Sequence, residues 1–235
     1  MNDLTLIIPA KNERESLPKV LDELEEFSLK KNVILEASDK LTVEAIKNYD
    51  CEIIYQKSNG YGDALIKGIE AVKTEFFCIF NADGSFNPKE LDQMISKLKD
   101  DKYDFVFASR YEKDCGSEDD TLITLIGNYI FTFLGKIFFK LKITDILYTF
   151  VMARASCAKK LGLTAKDFSF CVELPIKAQR ANYKICTSKS FERSRIAGKK
   201  KVNAFKDGLK ILFSMIKLFF TMLVIYFCLG FIDQT

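Results

Sequence analysis

Over roughly its first half, the chain alternates short, mainly apolar runs with stretches whose apolar residues recur every three or four positions. The runs cover residues 4–10, 33–38, 51–56, 76–80 and 104–110, and each is closed by polar or turn-forming residues. Runs of that length and ending predict strands. Between them, Leu17, Val20, Leu21 and Leu24 share one face of a helix predicted over 13–29, and further helices are expected over 61–72 and 88–98. Strands alternating with helices through short connections predict an α/β fold with a mostly parallel sheet flanked by helices.

The run at 76–80 stops abruptly at Asn81, and Asp83 and Gly84 follow. Open α/β sheets bind ligands at the carboxyl ends of their strands, which makes Asp83 a candidate functional carboxylate. The competing reading is a loop aspartate serving the helix that starts near Pro88. Asn12 and Glu13 follow the first strand and Asp39 the second, so all three fall at the same edge. For Asn12 and Glu13 the alternative is an ordinary polar helix start.

Beyond residue 110 the pattern changes. Residues 117–142 are apolar and rich in aromatics, interrupted by Gly and Lys, and read as one or two amphipathic helices. Such helices either pack on the sheet or lie in a membrane interface. Residues 211–232 form a 22-residue stretch with Lys217 as its one charge. That is long enough to cross a bilayer, with a buried C-terminal helix as the alternative. Lys206 and Lys210 precede it, so the positive-inside rule keeps the bulk of the chain on the cytoplasmic side. The expected division is a catalytic-type domain over 1–205 and a membrane-anchoring helix over 206–235.

Charge and composition sharpen this. The net charge is only +3, yet residues 177–217 hold 12 Lys and Arg against Glu192 and Asp207. A segment so basic suits a polyanion, either nucleic acid or lipid headgroups. It abuts an apolar tail instead of interleaving stacking aromatics, which argues against nucleic acid. The chain has no His, which excludes His-based triads, metal sites and acid–base chemistry. Its 7 Cys lack metal-ligand spacing and suit reduced, buried thiols. A strand expected from Leu4 argues against a signal peptide at the start.

Several stretches in order resemble family 2 glycosyltransferases: "IIPAKNERESLPKVL", "SNGYGDALIKGIEAV", "NADGSFNPKEL", "SRYEKDCGS", "ITDILYTFVMARASCAKKL" and "FCVELPIKAQRANYKICTSKSFERSRIAGKKKVN". Within that family the chain is most similar to the polyprenyl-phosphate glycosyltransferases, over about residues 4–205. The resemblance implies a GT-A fold, a nucleotide-sugar donor, Mg2+ or Mn2+, a polyprenyl phosphate acceptor and a membrane surface as partner. It assigns Pro9, Asn12, Glu13, Asp39, Gly60, Asn81 and Asp83 to the nucleotide sugar, with Asp83 and Asn81 toward the metal. Asp83 is the expected catalytic residue, joined by Asp145 as the base were the acceptor a hydroxyl. Arg110, Arg193, Arg195, Lys199 and Lys201, with Lys200 beside them, are expected on the phosphates of acceptor or donor.

The chemistry is consistent with that assignment. A departing nucleoside diphosphate gains negative charge, which a hard cation held by carboxylates offsets. A lipid phosphate is already anionic, so the protein's part is positioning and charge screening. Five departures stand out. Asn81 replaces the first carboxylate of the metal motif, Ser85 stands where Gln or Asn is usual after it, "EASD" replaces Asp-Asp-Gly-Ser and leaves Glu36 or Asp39 as substitutes, "TFVMAR" keeps only Arg154 of its motif, and Thr121 and Thr124 stand where Arg is usual. Each weakens phosphate or metal binding, so a second reading is a degenerate, membrane-bound binding subunit. A sugar-1-phosphate nucleotidyltransferase would need a Gly-rich loop after the first strand, and "PAKNERES" has none.

Overall fold

The computed structural model describes residues 2–198 and 200–232, with side chains through residue 221. Its elements are β1 (Leu4–Pro9), α1 (Leu17–Glu23), β2 (Lys30–Leu35), α2 (Lys40–Ile46), β3 (Glu52–Tyr55), α3 (Tyr61–Ala71), β4 (Phe76–Ile79), α4 (Leu91–Lys99) and β5 (Phe105–Ser109). They continue with β6 (Gly116–Ser117), α5 (Leu122–Phe139), β7 (Val151–Arg154), α6 (Ala155–Lys159), α7 (Phe170–Arg180), β8 (Ile185–Lys189), β9 (Phe191–Glu192) and α8 (Ala204–Ile232).

Seven strands form one sheet in the order β3-β2-β1-β4-β7-β5-β8, while β6 and β9 pair apart. The sheet is parallel except for β7, which runs antiparallel between β4 and β5. Its central strands are apolar on both faces because helices cover both. Leu17, Val20 and Leu21 of α1 and Leu91, Met94 and Leu98 of α4 fill one layer. Ala64 and Leu65 of α3, with Phe170, Val172 and Leu174 of α7, fill the other. The expected mostly parallel α/β sheet is therefore present.

Some expected boundaries shift. The helix predicted over 13–29 is only α1, because Pro18 sits in its first turn and residues 13–16 form a loop that carries polar groups to the sheet edge. The single helix α2 follows β2, capped by the Asp39 carboxylate, which accepts from the Thr42 amide at 3.3 Å. Strand β1 has β2 on one side and β4 on the other, so the loops leaving these strands diverge and open a crevice.

The aromatic-rich stretch after residue 117 is one helix, α5, opened by a capping box between Thr121 and Thr124. Its buried stripe is Asn128, Thr132, Gly135 and Phe139, whereas Leu122, Ile123, Ile126, Ile130 and Phe133 are exposed. Apart from Phe139, the residues that face the protein are polar or small, and most of the large apolar ones face out. Among the described residues, α5 is the one helix long and apolar enough to cross a membrane by length and composition. The expected span over 211–232 lies within α8, and its side chains from 222 onward fall outside the described ones. Its first turns pack on the domain. Ile211 and Met215 are buried in the α3–α7 layer, and Phe219 meets Phe138 edge-on at 5.4 Å.

Candidate active site

The crevice beyond β1 and β4 opens into a cavity of about 810 Å3. Pro9, Asn12 and Glu13 reach it from the β1 loop, Gly60 and Tyr61 from the start of α3, and Asn81 and Asp83 from the end of β4. Arg195, Lys200 and Lys201 line it from the strap between β9 and α8, and Arg110 from the end of β5. Ten of the residues named from the sequence thus share one wall or mouth of a single cavity.

Each is held by identifiable contacts. Asn12 adopts φ 55°, and its amide donates to Asp39 Oδ2 at 2.7 Å. Asp39 does not line the cavity. It fastens the β1 loop to the start of α2 from behind. Glu13 is buried, accepts from Ser16 Oγ at 2.5 Å and pairs with Lys201. Gly60 takes φ 129°, and a Cβ there would collide with the Lys166 carbonyl at 2.2 Å, so only glycine fits.

At the end of β4, Asp83 Oδ1 accepts from the Ser85 amide at 3.1 Å and the Ser85 hydroxyl at 2.7 Å. Its Oδ2 stands 3.6 Å from Arg195. Asn81 Oδ1 accepts from the Tyr61 hydroxyl at 3.4 Å, which also bonds Thr149 at 2.6 Å. Burial pushes the Tyr61 phenol well up, so it stays a neutral donor. Among the described residues, no cluster of three or more acids or thiols is arranged to hold a metal by protein alone. One carboxylate and one amide oxygen suit a hard divalent cation that takes most of its ligands from phosphates and water.

The strap is an ion-pair belt. Arg195 grips Asp119 through two bonds of 3.2 and 2.7 Å, and Lys200 lies 3.3 Å from the same carboxylate. Burial works against the Asp119 charge, but Arg195 and then Lys200 outweigh it and hold its carboxyl below the usual range. Asp119 was not singled out from sequence. Its only signal was the acidic "SEDD" run just ahead of an apolar helix. Lys11 and Glu36, joined at 2.7 Å, also line the cavity; Lys11 was likewise missed, whereas Glu36 was the alternative to Asp39 within "EASD".

Asp145 and Arg193 are placed differently, and Arg110 is engaged by carboxylates although it reaches the cavity. Asp145 is buried beneath the cavity, with Oδ2 accepting from Arg110 Nε at 2.7 Å and the Arg110 amide at 3.2 Å. Its Oδ1 accepts from Arg110 at 3.0 Å and Asn128 at 2.7 Å. With both oxygens so engaged, the geometry makes it the anchor of Arg110 and α5, not a base facing substrate. Arg110 touches the cavity, but its charge is committed to Asp145 and to Glu192 at 2.8 Å. Burial opposes its charge, and these carboxylates more than compensate, raising its pKa. Arg193 turns away to Glu23 at 2.8 Å and the Phe86 carbonyl at 2.7 Å, so it is not on the cavity wall. Lys199 lies outside the described residues.

Comparison with known proteins agrees with this architecture. The sequence model of the family described as Glycosyl transferase family 2 matches residues 5–162. An uncharacterized glycosyltransferase of Mycobacterium tuberculosis is 24% identical over 205 residues, covering 87% of this chain and 92% of the relative. An uncharacterized protein of Methanocaldococcus jannaschii is 24% identical over 149 residues, 61% of each chain. Glucosyl-3-phosphoglycerate synthase from M. tuberculosis, solved with Mn2+, UDP and glucosyl-3-phosphoglycerate, superposes with a TM-score of 0.74. That match covers 92% of this chain and 80% of the other at 13% identity. At such identity the likeness is one of fold, the GT-A type expected from the sequence.

Proposed function

This chain belongs to glycosyl transferase family 2, and from that premise we propose that it moves a sugar from a nucleoside diphosphate sugar to a polyprenyl phosphate, with inversion at the sugar carbon. It is a nucleotide-sugar-dependent glycosyltransferase. What the proposal adds is the acceptor, the stereochemistry and the residues.

The observation that carries the acceptor is the two-sided character of the one cavity. Its sheet-edge end bears Asp83, Arg195, Lys200 and Lys201, and its other end is walled by Ile123, Ile126 and Ile130 of α5 and Phe205 and Ile211 of α8. An amphipath with an anionic head and an apolar chain matches both ends. The acceptor phosphate needs no base, because its oxygen is already charged. That oxygen forms the new bond to the sugar carbon while the bond to the diphosphate breaks and takes its electron pair with it. Asp145, engaged by Arg110 and Asn128, is not required.

Asp83, with Asn81 beside it, would hold the divalent cation. The cation's contribution is to neutralise charge on the departing diphosphate. Arg195, Lys200 and Lys201 would exchange Asp83, Asp119 and Glu13 for phosphate oxygens, Arg by its fork and Lys as point charges. The outward apolar faces of α5 and α8 support a membrane surface as partner, with the sheet edge on the cytoplasmic side.

The test is transfer from radiolabelled UDP- and GDP-sugars with Mn2+ or Mg2+, offered undecaprenyl phosphate in micelles or 3-phosphoglycerate in solution. Label should enter the lipid phase only with the polyprenyl phosphate and a cation present. Transfer confined to 3-phosphoglycerate would overturn the acceptor. Absence of any cation-dependent nucleotide binding would favour the binding-subunit reading.

A further inference from the structure

The apolar end of the cavity contains two glycines. Gly127 on α5 and Gly208 on α8 both line it, and a Cβ built on either meets no atom within 4 Å. Glycine inside a helix costs stability relative to other residues and here answers no backbone demand. Neither position has the positive φ seen at Gly60 or Gly84. The helices close on each other further along, where Phe138 meets Phe219, and each glycine stands 11 residues before that contact. The cavity lining ends before that contact, at Phe131 on α5 and Ile211 on α8. The walls at this end are Ile126 and Ile130 on one side and Phe205 and Ile211 on the other.

The geometry points to a groove between α5 and α8, bare at Gly127 and Gly208, that holds the first part of the acceptor's isoprenoid chain. This assignment rests on the polyprenyl phosphate reading above and adds where the chain lies. Two observations commit the groove to that occupant. It is continuous with the end of the cavity that carries Arg195, Lys200 and Lys201, so a chain in it leaves its phosphate head among cations. The lining that the two helices present is mostly apolar, with Thr124 and Asn128 as its polar members, and a bulky side chain at either glycine would project into its open space. The missing side chains therefore mark volume left for a ligand, whereas Gly68, tight against Ile7 and Ile34, marks close packing.

The experiment uses the full chain and three variants, Gly127→Leu, Gly208→Leu and the pair combined. Binding is measured for fluorescent undecaprenyl phosphate in micelles, for citronellyl phosphate in solution, and for whichever of UDP and GDP binds the intact chain with Mn2+. The double variant should lose affinity for the long chain by about tenfold or more, the loss expected when two or more methylenes go unburied. Nucleotide–Mn2+ binding should stay within about twofold, and the melting temperature should hold or rise because glycine has left two helix interiors. A melting temperature that holds separates a filled groove from a misfolded chain. Equal long-chain affinity in the intact chain and the double variant would overturn the groove while leaving the lipid acceptor standing. An intact chain that binds neither polyprenyl phosphate would overturn both.

Discussion

Helices α4 and α5 are built on opposite plans. In α4, Leu91, Met94 and Leu98 face the sheet, while Asp92 and Gln93 face water. In α5, Asn128 and Thr132 face the protein, and Ile126, Ile130 and Phe133 face out. The first arrangement is how a helix is ordinarily held, by withdrawing its apolar stripe from solvent. The second is held by hydrogen bonds along its stripe, with Phe139 packed in the core at its far end. Asn128 donates to Asp145 and accepts from the Leu147 amide at 3.0 Å, and Thr132 accepts from the Ile146 amide at 3.2 Å. A helix seated by polar contacts has its apolar surface left over for something outside the protein. The sheet-edge lining of the cavity belongs to the layer in which α4 packs, and part of its apolar lining is α5 itself.

The largest expected effect lies at the end of β4. Asp83→Asn keeps the bonds to Ser85 but removes the carboxylate, and turnover should fall by about 10^2–10^3-fold, the usual loss for a preorganised charge at a reacting centre. Steady-state rates beside a melting curve check this, and full turnover would remove Asp83 from the chemistry. Next comes the seat of α5. Asp145→Ala strands the buried Arg110 and should cost about 3–5 kcal/mol of stability, comparable with Leu98→Ala under α4 at about 2–5 kcal/mol. Urea titration measures both. A stable Asp145→Ala protein with lost turnover would instead make Asp145 a base.

A smaller effect is expected from Asn81→Asp, which adds a second carboxylate beside Asp83. Mn2+ in the presence of nucleotide should bind about tenfold tighter, in line with affinity following ligand charge. Calorimetry reads this directly, and unchanged affinity would place Asn81 away from the ion. Smallest in stability is Phe133→Ser on the outward face of α5. Unfolding free energy should move by no more than about 0.5 kcal/mol, as for other surface changes. Sedimentation with anionic vesicles should nevertheless drop. A large loss of stability would mean that the face is buried against protein.

The sheet was legible because its strands are apolar on both sides, so runs such as Phe76–Ile79 need no long-range information to be read. What escaped depends on distant partners. Strand β7 is short and paired antiparallel, an orientation fixed by β4 and β5 and not by its own residues. Helix α2 was missed because its start depends on the Asp39 cap, a residue read instead as a ligand. In the site, Asp83 was legible from the abrupt end of an apolar run. The engagement of Asp145 with Arg110, 35 residues away, was not, and neither was that of Asp119 with Arg195. A sequence shows which charges lie near a strand end, but pairing decides which of them remain available to a ligand.

The packing of the first turns of α8 decides where the chain tolerates being cut. A boundary drawn at residue 205 would separate the strap from the helix that holds its far end, and would strip Ile211 and Met215 from the core. Each of those side chains contributes about 1.5–3 kcal/mol when buried, a large part of what keeps a domain of this size folded. A shortened form for crystallisation or display therefore has its natural end after Met215 and the Phe219 contact. Ended there, the chain keeps both anchors of the strap and both walls of the groove.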